Sequence, residues 1–168
     1  MINFIDIENT IKELEILYSN STNTLHQILY SKLAILEYCG WLEDSFDIIA
    51  DEYITRNVLS SGNQQYIRKI SIENNYGFSY ENNLRPMLSK VIGFPILEFV
   101  ENDLESDHGK FTLMKSYIDF FLRQRRNAAH KATSVTMVYD TPSVVLSYFT
   151  KLKPILQLFE NSIIVVYP

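Results

Sequence analysis

The feature that most constrains this chain is a near-continuous apolar stripe from Leu25 to about Arg56. Leu25, Ile28, Leu29, Leu33, Leu36, Trp41, Leu42, Phe46, Ile49 and Tyr53 recur at the spacing of one helix face. A helix this long cannot bury its stripe alone, so other helices must pack along it. Lys32 interrupts the stripe, and its stem can lie on apolar surface with the ammonium in water. Gly40 also falls inside, at about 1 kcal/mol relative to alanine, a cost that close approach of a second helix would justify.

The same periodicity recurs in shorter pieces. Ile5, Ile7, Ile11, Leu14, Leu17 and Tyr18 mark a first helix, and Ser19-Asn20-Ser21 ends it and offers N-caps for the long one. Ser60-Ser61-Gly62-Asn63 reads as a loop before an amphipathic stretch with Tyr66, Ile67, Ile70 and Ile72. After a break at Asn74-Asn75-Tyr76-Gly77, two short helices are expected between Tyr80 and Glu105. They are split near Gly93-Phe94-Pro95, because proline disfavours a helical residue before it. Glu101 to Gly109 reads as an acidic loop, and Lys110 to about Ala129 as a helix carrying Leu113, Met114, Tyr117, Ile118, Phe120 and Phe121. The β-branched run from Lys131 to Asp140 could be extended. Thr141 then caps a last helix with Pro142 at its first position, where the missing N–H costs nothing. Its buried face is Val144, Val145, Tyr148, Phe149, Leu152, Ile155, Leu156 and Phe159, and Pro154 should kink it. The expected fold is all-α: one domain over 1–168, an up-and-down bundle of four to five helices with short accessory ones, and no repeat or linker.

Composition removes several function classes. A chain of 168 residues with 46% apolar and 21% charged residues has the makings of a core. The lone Cys39 excludes an intramolecular disulfide framework and multi-cysteine metal sites. Five glycines, with neither GxGxxG nor GxxxxGK[ST], disfavour phosphate-cradling nucleotide folds. No apolar run approaches the ~20 residues of a membrane span, and Met1 to Asp6 lacks the basic start of a signal peptide. A cytoplasmic protein with no membrane partner, cofactor or metal is expected. With 15 Lys+Arg against 20 Asp+Glu, the net charge of −5 leaves nucleic-acid binding to a local basic patch.

One such patch exists. Arg123-Gln124-Arg125-Arg126-Asn127-Ala128-Ala129-His130-Lys131 places five basic-capable side chains at the end of an amphipathic helix. Cations at a helix C-terminus gain ~0.3–1 kcal/mol each from the dipole, which accounts for one or two of them as a solvated end. It leaves Asn127, the two alanines and His130 unexplained. Small residues at 128 and 129 would let another backbone approach, placing His130 at a tight junction.

The run Arg125-Arg126-Asn127-Ala128-Ala129-His130 resembles the RxxxxH signature of the HEPN superfamily, small all-helical domains many of which are metal-independent endoribonucleases. The long helix around Leu33-Ala34-Ile35-Leu36-Glu37-Tyr38-Cys39-Gly40-Trp41-Leu42-Glu43 is similar to that of stand-alone HEPN proteins, as is the approach to the last helix through Thr141-Pro142-Ser143-Val144-Val145. The resemblance spans roughly Leu25 to Phe159, and its one specific motif is the Arg–His pair. Family members place a polar residue, often asparagine, directly after the motif arginine. Here Asn127 follows Arg126, which leaves three residues before His130, whereas Arg125 leaves four and Arg123 six. Arg125 is the first choice for the motif arginine and Arg126 its rival.

The resemblance implies RNA cleavage by attack of the 2′-OH, so the protein needs only to move protons and stabilise a phosphorane. Imidazole suits general acid and base work near neutrality, and a guanidinium can grip phosphate oxygens and stabilise the charge that develops. Asn127 would orient His130 or bond the phosphate. Arg123, Lys131 and Tyr139 are candidate RNA contacts, Tyr139 by stacking on a base. One histidine is thin for two proton transfers, and the family implies a homodimer in which two Arg–His pairs share a cleft. A toxin or defence role and a cognate antitoxin are further implications. The alternatives are a non-catalytic HEPN-like module that binds RNA or protein, and a scaffold whose basic helix end only balances the dipole.

Other constellations are weaker. Asp103, Glu105, Asp107 and His108 match no metal-loop spacing and read as a solvated acidic loop capping the next helix. His26 reads as structural or exposed, and Cys39 as a small buried residue, although a Cys39–His130 pair is left open. Asp119 and Arg123, four apart, are expected to pair on the helix surface for ~0.3–0.5 kcal/mol, which would leave Arg125 as the functional arginine.

Overall fold

The computed structural model describes residues 1–130 and 138–164. Among them the chain is all-helical: α1 (Ile5–Asn20), α2 (Thr24–Asn57), α3 (Ser61–Ser71), α4 (Arg85–Ile92), α5 (Phe94–Ser106), α6 (Lys110–His130) and α7 (Pro142–Ile164), with a π-helical turn at Tyr80–Leu84. The stripe on α2 organises the rest, since α1, α3, α4, α6 and α7 all pack against it. Asn23 starts α2 by accepting the N–H groups of Leu25 and His26, a side-chain cap of the kind asparagine makes best. Ile35, Tyr38, Cys39, Leu42, Phe46 and Ile49 lie fully buried along its inner face. There Tyr38 meets Trp41 and Phe121, and Phe46 meets Phe159. Trp41 also donates its indole N–H to the Asn3 carbonyl at 2.9 Å, which ties the segment before α1 to α2.

The expected bundle of long helices with short accessory ones is present among the described residues, α3 and α4 being the shortest. Several boundaries change. Of the stretch expected as a loop, Ser60 is the extended residue before α3 and Ser61 to Asn63 already belong to the helix, because serine and glycine are tolerated at a helix start and Gln64 anchors it with a 2.7 Å bond to the Val58 carbonyl. Glu101 to Ser106 is helical as well. Leu104 faces the core, and Glu101 is bound on its inner side by the Tyr80 hydroxyl at 2.9 Å and by both ends of the Arg85 guanidinium. Asp103 and Glu105 occupy the solvent side without ending the helix. Glu105 caps α6 as expected, accepting the Thr112 N–H at 2.9 Å. Gly40 has no close neighbour, since an added Cβ would meet nothing within 4 Å. Helix α7 begins at Pro142 and runs unbroken through Pro154. No helix among the described residues is long and apolar enough to cross a membrane.

Candidate active site

Helix α6 carries the basic run and stays helical through His130. On such a helix residues four apart nearly align, and residues five apart differ by about 140°. Arg126 therefore shares a face with His130 while Arg125 lies to its flank. The reach of the arginine side chains closes that gap: Arg125, Arg126 and His130 line one opening of about 350 Å3 with Leu122 and Ala129.

Arg125 is the anchored member. Its Nη1 donates to Oε2 of Glu43 on α2 at 2.8 Å, and its guanidinium carbon lies 5.4 Å from the centroid of the Phe78 ring. The other Glu43 oxygen accepts the Gly77 N–H at 2.7 Å. One carboxylate thus ties together α2, the segment before the π-helical turn and α6. A charge-assisted bond and a ring contact restrict a side chain that would otherwise sample many rotamers.

Arg126, Asn127 and His130 are exposed, and their side chains make no hydrogen bond or ion pair among the described residues. Asn127 therefore does not orient His130 here. Nor does His130 occupy a tight junction: Ala128 is buried, but Ala129 and His130 face outward. Arg123 is exposed too, and no ion pair joins it to Asp119. A surface pair of this kind gains too little to outweigh side-chain entropy and hydration, so the expected reason for setting Arg123 aside is absent. Lys131 lies outside the described residues, as does the stretch to 137.

Tyr139 is not a base-stacking platform. It is 9% exposed, belongs to the core and points its hydroxyl at the Asn127 carbonyl, 3.4 Å away. An aromatic ring in the core gains more from packing than from exposure. Cys39 is removed as a partner for His130. It is fully buried, its thiol faces the Phe121 carbonyl, and burial pushes the thiol up to about 12, against a smaller opposite pull from Arg125. No group of three or more His, Cys, Asp or Glu side chains suited to a metal ion exists among the described residues. His26 is exposed, edge-on to Tyr30.

Glu43, Gly77 and Phe78 were not legible as site residues. Glu43 meets Arg125 across 82 positions of sequence, and no local pattern encodes such a pairing. A second opening, about 480 Å3 between α2 and α3, is lined by Asp44, Asp47, Asp51, Glu52 and Glu73 with Arg68 the one cation. Its field repels phosphate, so the α6 opening is the one suited to a polyanion. Compared with family models, curated proteins and solved structures, the chain matches none.

Proposed function

We propose that this protein is a metal-independent endoribonuclease of HEPN type, acting in the cytoplasm as a homodimer. The observation that carries the reading is the opening on α6, where a solvent-accessible imidazole stands with two guanidinium groups, one of them fixed by Glu43. In the proposed reaction the ribose 2′-oxygen attacks the adjacent phosphorus as a base takes its proton. The bond to the 5′-oxygen breaks, and an acid protonates that leaving oxygen. The products are a 2′,3′-cyclic phosphate and a 5′-OH. His130 serves as the proton-transfer group, while Arg125 and Arg126 hold the phosphate and offset the charge that grows on it. Asn127, Arg123 and Lys131 contact the RNA backbone. A second copy of the chain supplies the second histidine, so that one imidazole accepts a proton as the other donates. A toxin or defence effector restrained by an antitoxin is the biological setting this chemistry suits.

Substitution of His130→Ala tests the reading. Because the side chain is exposed and makes no hydrogen bond or ion pair among the described residues, the melting temperature should stay within about 1–2 °C of wild type. Cleavage of single-stranded RNA in EDTA should fall by at least 100-fold, and the wild-type product should carry the cyclic phosphate. Undiminished cleavage by the variant removes the proposal. One observation favours a second reading, a non-catalytic binding module or a helical scaffold: the walls of the opening come from α6 alone. Purified wild-type protein that leaves RNA intact over a range of sequences would establish that reading instead.

A further inference from the structure

We propose that the segment between α3 and the π-helical turn forms a subsite for an unpaired nucleobase, with Tyr76 as its stacking surface. The inference rests on the ribonuclease reading, because it places a base next to the phosphate gripped by Arg125. Two contacts join the segment to that arginine. Glu43 bridges the Gly77 N–H and the Arg125 guanidinium, and the Phe78 ring lies under the same guanidinium. Tyr76 directly precedes these two residues, so whatever Arg125 holds lies within a nucleotide's reach of it.

The segment is fixed. Gly77 adopts φ 120°, a conformation open to glycine and strained for other residues. An added Cβ there would sit 3.3 Å from Oδ1 of Asn83. Asn83 donates to the Tyr76 carbonyl at 3.2 Å, and the Asn75 N–H donates to the Ile72 carbonyl at 2.9 Å. On this backbone Phe78 is fully buried while Tyr76 is 81% exposed. A held backbone that presents a bare aromatic beside an anchored arginine has what sequence-tolerant single-strand recognition needs: a cation for the phosphate and a π-face for the base.

The test uses the full chain and an end-labelled single-stranded RNA carrying 2′-O-methyl groups, which binds without being cleaved. Loss of one stacked base should weaken binding of Tyr76→Ala by about 5- to 100-fold, with Tyr76→Phe within twofold of wild type. Tyr66→Ala, which removes an aromatic 64% exposed on α3, should bind as wild type. Unchanged affinity in Tyr76→Ala, or an equal loss in Tyr66→Ala, overturns the subsite; if wild type still cleaves RNA, the ribonuclease reading survives that result. A wild type that neither binds the methylated strand nor cleaves the unmodified one overturns both.

Discussion

Asp47 is the residue whose setting most clearly opposes its charge. It sits on α2, part-buried, with one carboxylate oxygen lacking a hydrogen-bond partner. Burial raises its pKa from 3.8 to about 6, and Glu43 and Asp44 add to the shift. Asp51, Glu52 and Glu73 line the same opening, with Arg68 engaged by Asp51. Between the unfolded and folded values the native state binds the extra proton, so this group's contribution to stability declines as pH rises from about 4 to about 6. Above that it is a penalty. Asp47→Asn should therefore stabilise the protein at pH 7.5 by about 1 kcal/mol, after allowance for solvent screening. The gain should vanish near pH 4, as read from urea midpoints at the two pH values. A gain equal at both would mean that the carboxyl titrates normally. Asp47 also shows where sequence reading stops. Its place on α2 and its acidic neighbours Glu43 and Asp44 follow from the helix, but its burial, the larger cause of the shift, depends on what packs across α2, and no spacing along α2 records that. Glu43 is the same case. Arg125, Arg126 and His130, by contrast, were legible as a group, because one helical segment sets their mutual placement.

Among the elements, α2 was the most legible because its stripe leaves no other way to bury so much apolar surface. The misplaced boundaries were those set by interactions from elsewhere, such as the bonds of Tyr80 and Arg85 to Glu101, in the acidic second half of α5 that reads as a loop. Two glycines make the contrast between local and tertiary control measurable. Gly40 lies mid-helix in α2 with open space where a Cβ would be, so only its backbone entropy counts. Gly40→Ala should stabilise by about 0.5–1 kcal/mol. Gly77 has a positive φ and a crowded Cβ site, so Gly77→Ala should destabilise by about 1–2 kcal/mol. Both are read by chemical denaturation, and the opposite signs are the critical result. Destabilisation by Gly40→Ala would mean that a partner packs closely on that face of α2.

At the scale of the whole molecule, a net charge of −5 is arranged unevenly. Glu43, Asp44, Asp47, Asp51 and Glu52 crowd one stretch of α2, while Arg123, Arg125 and Arg126 gather near the C-terminal end of α6, with Lys131 next in sequence after it. Glu43 offsets Arg125 in part, which leaves about three effective cations per chain for phosphate. Binding of single-stranded nucleic acid changes with salt as about −0.7 per neutralised phosphate on a log–log scale. A single chain gripping RNA should thus give a slope of about −2, and two chains sharing one strand across a common cleft about −4. Titrating the 2′-O-methyl strand between 50 and 300 mM salt, at protein concentrations above and below any dimer dissociation constant, separates the two. The homodimer proposal requires the steeper slope at high protein concentration and the shallower one on dilution, with cleavage falling away over the same range. A slope near −2 throughout, alongside cleavage proportional to protein concentration, would place both proton transfers on one chain, and His130 would then need a partner other than its own copy.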